Sequence, residues 1–175
     1  LKEMLVRSLP CCGARIKEIA MPTDSIRDAA YCEALNRELV CALGCTEPIA
    51  VAYAAALASQ TLCGEPEHMD VACSGNIIKN VKSVTVPNSG GMRGIEAAAV
   101  LGAVGGDAKS ALEVLESVDD IARARANELL VDPSYCSVSL VEGVPNLYIK
   151  VTATYGSHVA VVEIIDHHTN VTCHT

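Results

Sequence analysis

"NLYIKVTATYGSHVAVVEIID", residues 146–166, alternates apolar and polar side chains on both sides of Gly156-Ser157. Period-two alternation in two runs joined by a short polar turn predicts an antiparallel hairpin. The same alternation precedes it in "CSVSLVE" (136–142) and continues after it in "TNVTCHT" (169–175), with breaks at Gly143-Val144-Pro145 and His167-His168. The C-terminal part is therefore predicted to be an antiparallel meander.

Upstream the period changes. Ile26, Ala29, Ala30, Leu35, Leu39 and Val40 recur at helical spacing within residues 25–43, and Gly44 ends the run. A second helix, Ile49 to Leu62, has Thr46 or Glu47 as its N-cap and Pro48 in its first turn, and it stops at Gly64. "MDVACSG" (69–75) predicts a short strand, and "IIKNVKSVTVP" (77–87) a helical turn and then another strand. After the loop signal Asn88-Ser89-Gly90-Gly91, Met92 to Val104 is an Ala-rich central helix that closes at Gly105-Gly106. Asp107 and Asp119 cap "AKSALEVLESV" and "DIARARANELLV", which predict an outer helical hairpin. Helices grouped before strands, not alternating with them, predict an α+β fold: Ala-rich helices packed with a short mixed sheet, and then the meander.

Half of the 175 residues are hydrophobic, yet Phe and Trp are absent, so the core must be built from Ala, Val, Leu and Ile. The expected organisation is a single domain, 25–175, behind an N-terminal extension, 1–24, with Met21-Pro22-Thr23-Asp24 reading as a native start. A net charge of −8 without a Lys/Arg cluster excludes nucleic acid as a partner. The longest apolar run, Ile49 to Ala58, falls well short of the ~20 residues needed to span a bilayer, so a soluble protein is expected. Nine cysteines, an odd set without a CxxC pair, predict reduced thiols in a cytoplasm, most of them small core residues.

Several residues could carry chemistry. Cys45 stands just before a predicted helix start, where unpaired N–H groups and the helix dipole favour a thiolate; it also fits as a small residue between packed helices. Glu47 is either a capping carboxylate or a general base two residues from that thiol. Ser74-Gly75-Asn76 and Asn88-Ser89-Gly90-Gly91 are polar turns that can present backbone N–H groups to a carboxylate, with Lys79, Lys82 or Arg93 as the nearby cation. They also fit as ordinary Gly turns. The histidines form no HxxxH or HExxH pair; His168 lies in a strand turn from which it either points into a cleft or faces solvent.

"ALGCTEPIAVAYAAALA" (42–58), "CSGNIIKNVKSVTVPNSGGMRGIEAAAVLGAVGG" (73–106), "LVEGVPNLYIKV" (140–151) and "HHTNV" (167–171) together resemble the L-cysteine desulfidase family, also described as serine-dehydratase-like proteins. The resemblance covers most of the chain after about Ser25. It implies a lyase that breaks L-cysteine into pyruvate, ammonia and sulfide, or acts similarly on L-serine, with a [4Fe–4S] cluster in place of pyridoxal phosphate. On this likeness Cys45, in the GCTEP motif, is a cluster ligand, and Ser74, Gly75, Asn76, Asn88, Ser89, Gly90 and Gly91 line the substrate pocket. Glu47 and Lys79 are then the candidate catalytic side chains. Family proteins continue well beyond this length and carry their other cluster-ligand cysteines in a C-terminal portion. The likeness thus implies an N-terminal part that needs a C-terminal half or separate subunit as partner and is inactive alone. Two other readings of the same residues are a non-catalytic module binding a small carboxylate or amino acid, and a homodimer built on the meander edge and the Ala-rich helix.

Overall fold

A computed structural model describes residues 25–39 and 41–175. The predicted extension 1–24, with Cys11 and Cys12, lies outside the described residues. The chain divides into two units, Leu1–Leu39 and Val40–Thr175. In the first, helix α1 (Ser25–Glu38) forms where the helical period begins but ends before the expected Leu43. Leu43 instead belongs to the second unit, where its N–H donates to the carbonyl of Leu112 at 3.1 Å and Gly44 comes next at φ +143°.

The second unit is α+β. Its five strands are β1 (His68–Ser74), β2 (Cys136–Val141), β3 (Tyr148–Tyr155), β4 (His158–Ile165) and β5 (Val171–His174), ordered β2-β1-β3-β4-β5 in one mixed sheet. The hairpin expected from residues 146–166 is β3–β4, with Tyr155 opposite His158 across a turn that Gly156 makes at φ +57°. β5 adds antiparallel to β4. The meander does not include β2, however, because β1 lies between β2 and β3, parallel to the first and antiparallel to the second. Burial explains the insertion. Met69, Val71 and Cys73 of β1 are fully buried, which suits a central strand, whereas β2 carries the exposed Ser139 and Leu140 and suits an edge. The strand expected near Val84 reduces to one bridge, Thr85 to Arg93.

Helices cover one face of this sheet. α2 (Thr46–Leu62) packs over β3 and β4, and α4 (Gly94–Gly105) packs against α2 and reaches β1 and β2. Both are apolar through most of their circumference, as the Ala-rich runs require. Where they cross, a Cβ on Gly102 would lie 2.2 Å from the carbonyl oxygen of Ala52, so the two backbones touch with nothing between them. The opposite sheet face is amphiphilic: Asp70, Lys150, Thr152 and Glu163 point away from the helices and are exposed or half-buried.

The outer helical hairpin forms only in its second half. Asp119 caps α5 (Asp120–Leu129), its Oδ1 accepting the N–H of Ala122 at 2.8 Å. Asp107 likewise accepts the Lys109 N–H at 3.0 Å, but the residues it caps form a 3-10 segment, Ala108–Glu113, broken at Ala111 (φ 45°, ψ −113°). Leu112, Val114, Leu115 and Val118 are all buried, so this stretch folds inward. Ala111 has the dihedral angles of a glycine. Ala111→Gly is expected to raise stability by about 1 kcal/mol, read as a higher urea midpoint at unchanged m-value.

Candidate functional site

α2 begins at Cys45, and the site is built around that start. Cys45 is the N-cap (φ −62°, ψ 122°) but makes no side-chain cap hydrogen bond, so neither Thr46 nor Glu47 fills the N-cap place expected of them. Gly44 can adopt its φ of +143° without a side chain, and a Cβ there would meet Pro87 Cγ at 3.1 Å, so the loop before α2 lies against the segment leading to Asn88. The Cys45 thiol points back along the first turn and donates to Glu47 Oε2 at 3.1 Å. From α3 (Gly75–Val81), Asn80 Nδ2 donates to Glu47 Oε1 at 3.4 Å.

A fourth group comes from the β4–β5 connection. His168 is half-buried there and lies close enough to Glu47 for their charges to interact. The connection is held tightly: Asn170 Nδ2 donates to the Ile165 carbonyl at 2.9 Å and the Asn170 N–H to the His167 carbonyl at 3.0 Å. His168 Nε2 is shielded from solvent yet has no hydrogen-bond partner among the described residues. A buried imidazole nitrogen left unpaired is uncommon, because the lost hydration costs roughly 1 to 3 kcal/mol.

The electrostatics differ from those expected at a helix start. Partial burial, then the hydrogen bond to Glu47, push the Cys45 thiol above its ordinary 9.0. Burial first, and then the carboxylate in the first turn, thus favour the protonated thiol that donates to Glu47. The same hydrogen bond is the main reason that the Glu47 carboxyl sits below its usual range, with His168 and Asn80 adding to it. Burial holds His168 below the ordinary imidazole value of 6.5, against the opposing pull of Glu47.

Both shifts have one sign for stability. A group whose folded pKa is depressed contributes fully above its unfolded pKa and loses that contribution as pH falls through the folded value. For His168 the loss starts near 6.5, and for Glu47 it comes later, in the acid range below its ordinary 4.5. Urea midpoints are therefore expected to be flat from pH 8 to 7 and to fall toward pH 5.5. His168→Gln should flatten that first decline; an unchanged slope would show that other groups drive it.

The other predicted site residues are placed elsewhere. Ser74 is buried and serves as the N-cap of α3, its Oγ accepting the Ile77 N–H at 3.4 Å and donating to the Asn146 carbonyl at 2.5 Å. Gly75, Asn76 and Lys79 are exposed on the same helix that supplies Asn80. The Asn88-Ser89-Gly90-Gly91 turn is engaged internally. Asn88, at φ 53°, donates through Nδ2 to the carbonyls of Leu115, Glu116 and Val118 at 2.7, 3.2 and 3.1 Å and accepts from Arg123 at 3.0 Å. Ser89 Oγ donates to the Met92 carbonyl and receives the Gly91 N–H. The structure thus joins Cys45 and Glu47 from the sequence-predicted set, adds Asn80, which residue type and spacing did not select, and half-buries His168, for which a cleft and a solvent-facing turn were the two expectations.

The cysteines also divide differently from the expected core role. Cys73 and Cys136 are buried, and burial pushes both thiols up to about 12. Cys32, Cys41, Cys45 and Cys63 are exposed. Among the described residues, no helix is long and apolar enough to cross a membrane.

No family model matches the chain, and no solved structure matches it. Curated relatives do. The chain is 50% identical over 142 residues to a UPF0597 protein of Finegoldia magna, covering 81% of this chain and 34% of that protein. It is 43% identical over 151 residues to one of Treponema denticola, covering 86% and 35%. Against a third, from Lachnoclostridium phytofermentans, it is 43% identical over 137 residues, covering 78% and 33%. The chain is thus similar to UPF0597 proteins over most of its own length and spans about a third of theirs.

Proposed function

We propose that this chain is the N-terminal part of a cytoplasmic iron–sulfur-dependent lyase that eliminates the β-substituent of L-cysteine, or of L-serine, to leave pyruvate and ammonia. The observation that carries the proposal is the exposed Cys45 at the start of α2, hydrogen-bonded to Glu47 in one corner with Asn80 and His168. It is supported by the multi-segment resemblance centred on the GCTEP motif and by relatives more than twice as long, which have room for further ligands.

Among the described residues no group of three His, Cys, Asp or Glu side chains lies close enough to hold a metal ion. Cys45 can offer one thiolate, and a four-iron cluster needs more, so the remaining ligands must come from outside the described residues. What this chain's own residues supply is a proton relay and a polar wall. Glu47 is the acceptor for the Cys45 proton, which must leave before the sulfur can bind a metal. Asn80 holds the carboxylate in place for that transfer. Glu47, with its lowered pKa, is a weak base toward carbon, so its part is confined to the Cys45 proton.

The test uses the longer protein that contains this segment. Anaerobic reconstitution is expected to load iron and sulfide and to release pyruvate from L-cysteine or L-serine; a failure of both refutes the lyase. Cys45→Ser should abolish cluster and turnover while costing only about 1 to 2 kcal/mol of stability. A Cys45→Ser protein that keeps its cluster would make the cysteine a packing residue.

A further inference from the structure

We propose that the cavity between the end of α5, the start of α4 and the loop before β2 binds a small primary amine with an apolar body, its ammonium held by the Glu96 and Asp132 carboxylates. The cavity shares no lining residue with the Cys45 corner, and the inference does not rest on the lyase reading.

The cavity has a volume of about 270 Å³. Leu129 and Leu130, half-buried at the end of α5, and Pro133 give it aliphatic walls. Its floor is Tyr135 and Cys136, each 7% exposed. The Tyr135 hydroxyl donates to the Pro66 carbonyl at 2.7 Å, so what it leaves for a ligand is its ring. Cys136 makes no hydrogen bond among the described residues. Burial, and then the neighbouring Glu96, push this thiol up to about 12, so a buried and protonated S–H borders the cavity without a protein partner. Such a lining favours a hydrocarbon body.

The polar side of the cavity has one sign. Glu96 stands in the first turn of α4, where the helix dipole favours its ionised form, and it has no hydrogen bond or ion pair among the described residues. Asp132 accepts the Ser134 N–H at 2.9 Å and the Ser134 hydroxyl at 2.7 Å, both at Oδ1. Those bonds hold its carboxyl below the usual range, and Oδ2 has no partner among the described residues. No lysine or arginine is among the residues that line the cavity. Arg125 lines the adjoining cleft, which shares Leu129 and Tyr135 with the cavity, but its guanidinium is spent on Glu65 at 2.6 Å and Glu128 at 3.1 Å.

Two carboxylates beside an apolar wall with no counter-ion repel an anion, and they lose hydration to a neutral ligand without return. A metal ion does not suit them, because among the described residues no group of three His, Cys, Asp or Glu side chains could hold one. An ammonium on a hydrocarbon tail answers both halves of the cavity: its N–H groups donate to the acids and its tail covers the leucines.

The experiment titrates the 175-residue chain at neutral pH with phenethylamine, phenethyl alcohol and hydrocinnamate, following leucine methyl resonances in a ¹³C-methyl-labelled sample. Leu130→Met assigns the Leu130 methyls. Phenethylamine is expected to shift them saturably, with half-saturation below about 10 mM. The alcohol should bind at least about tenfold more weakly, and hydrocinnamate should leave the methyls unmoved. Glu96→Gln and Asp132→Asn should each weaken the amine about tenfold, the loss of one charge-assisted hydrogen bond. Both residues are exposed, so both variants should fold, and a thermal melt checks it; the comparison of probes on the unaltered chain depends on neither. Equal affinity for amine and alcohol, saturation by hydrocinnamate, an amine affinity unchanged in both variants, or no saturable shift at Leu130 with any probe overturns the proposal.

Discussion

Replacing Gly102 with alanine is expected to destabilise the 40–175 unit by about 3 kcal/mol or more, one of the two largest effects of a single substitution anticipated in this fold. The added methyl carbon would sit 2.2 Å from the carbonyl oxygen, 2.6 Å from the Cα and 2.7 Å from the carbonyl carbon of Ala52. All three atoms are backbone, so no side chain can rotate away; α2 and α4 must separate along their crossing. Helix propensity alone would favour alanine by about 1 kcal/mol, and the clash reverses that sign. The pair also anchors the helical layer on the sheet, so the separation would spread to the contacts of both helices with β1 to β4. In a thermal melt the expected drop is about 6 to 12 °C for a chain of this size. Gly64→Ala is the control: nothing lies within 4 Å of its Cβ position, and its melt should hardly move.

Asn88→Asp is expected to cost about 2 to 3 kcal/mol, the second large effect. The amide nitrogen of Asn88 ties together the carbonyls of Leu115, Glu116 and Val118; an acid oxygen in its place leaves Leu115 with only the Val118 N–H, Val118 with only Arg123, and takes the Asn88 donor from Glu116. The new carboxylate would face those carbonyls at under about 3.3 Å and repel them. Its attraction to Arg123, which already donates to Asn88 Oδ1 at 3.0 Å and to Asp120 at 2.7 Å, recovers part of the loss. Aspartate tolerates φ 53° nearly as well as asparagine, so the substitution isolates the lost donor from backbone strain. A urea titration showing less than about 0.5 kcal/mol would mean that water replaces the amide without penalty.

Asn88 also marks where reading the residues in order stops. Asparagine both adopts the left-handed region and carries a donor amide, and both properties suit an anion-binding turn as well as an internal clasp. The choice lies with Leu115 to Val118, distant in sequence and folded inward against expectation. Similarly, alternation made the β3–β4 hairpin legible because both partners are local. It could not place β1, whose neighbours are decided by which strands present the most buried edge. At the site, Cys45 and Glu47 were visible because they stand two positions apart at one helix start. Asn80 and His168 come from α3 and the β4–β5 connection and meet them only through packing of α2 on the sheet. The polar "HHTN" between two strands was the available signal for His168, and it is shared by every solvent-facing turn.

The position of β1 bears on how the chain is made. During synthesis β1 leaves the ribosome early, along with the Ala-rich α2 and α4, but both strands that flank it, β2 and β3, are encoded far downstream. Until those arrive, two helices apolar on nearly every side have no sheet to cover, and the central strand has both edges open. Vectorial folding from the N-terminus is therefore closed to this topology. The nascent chain must wait in a sticky, partly helical state and closes in one late step dominated by long-range pairing.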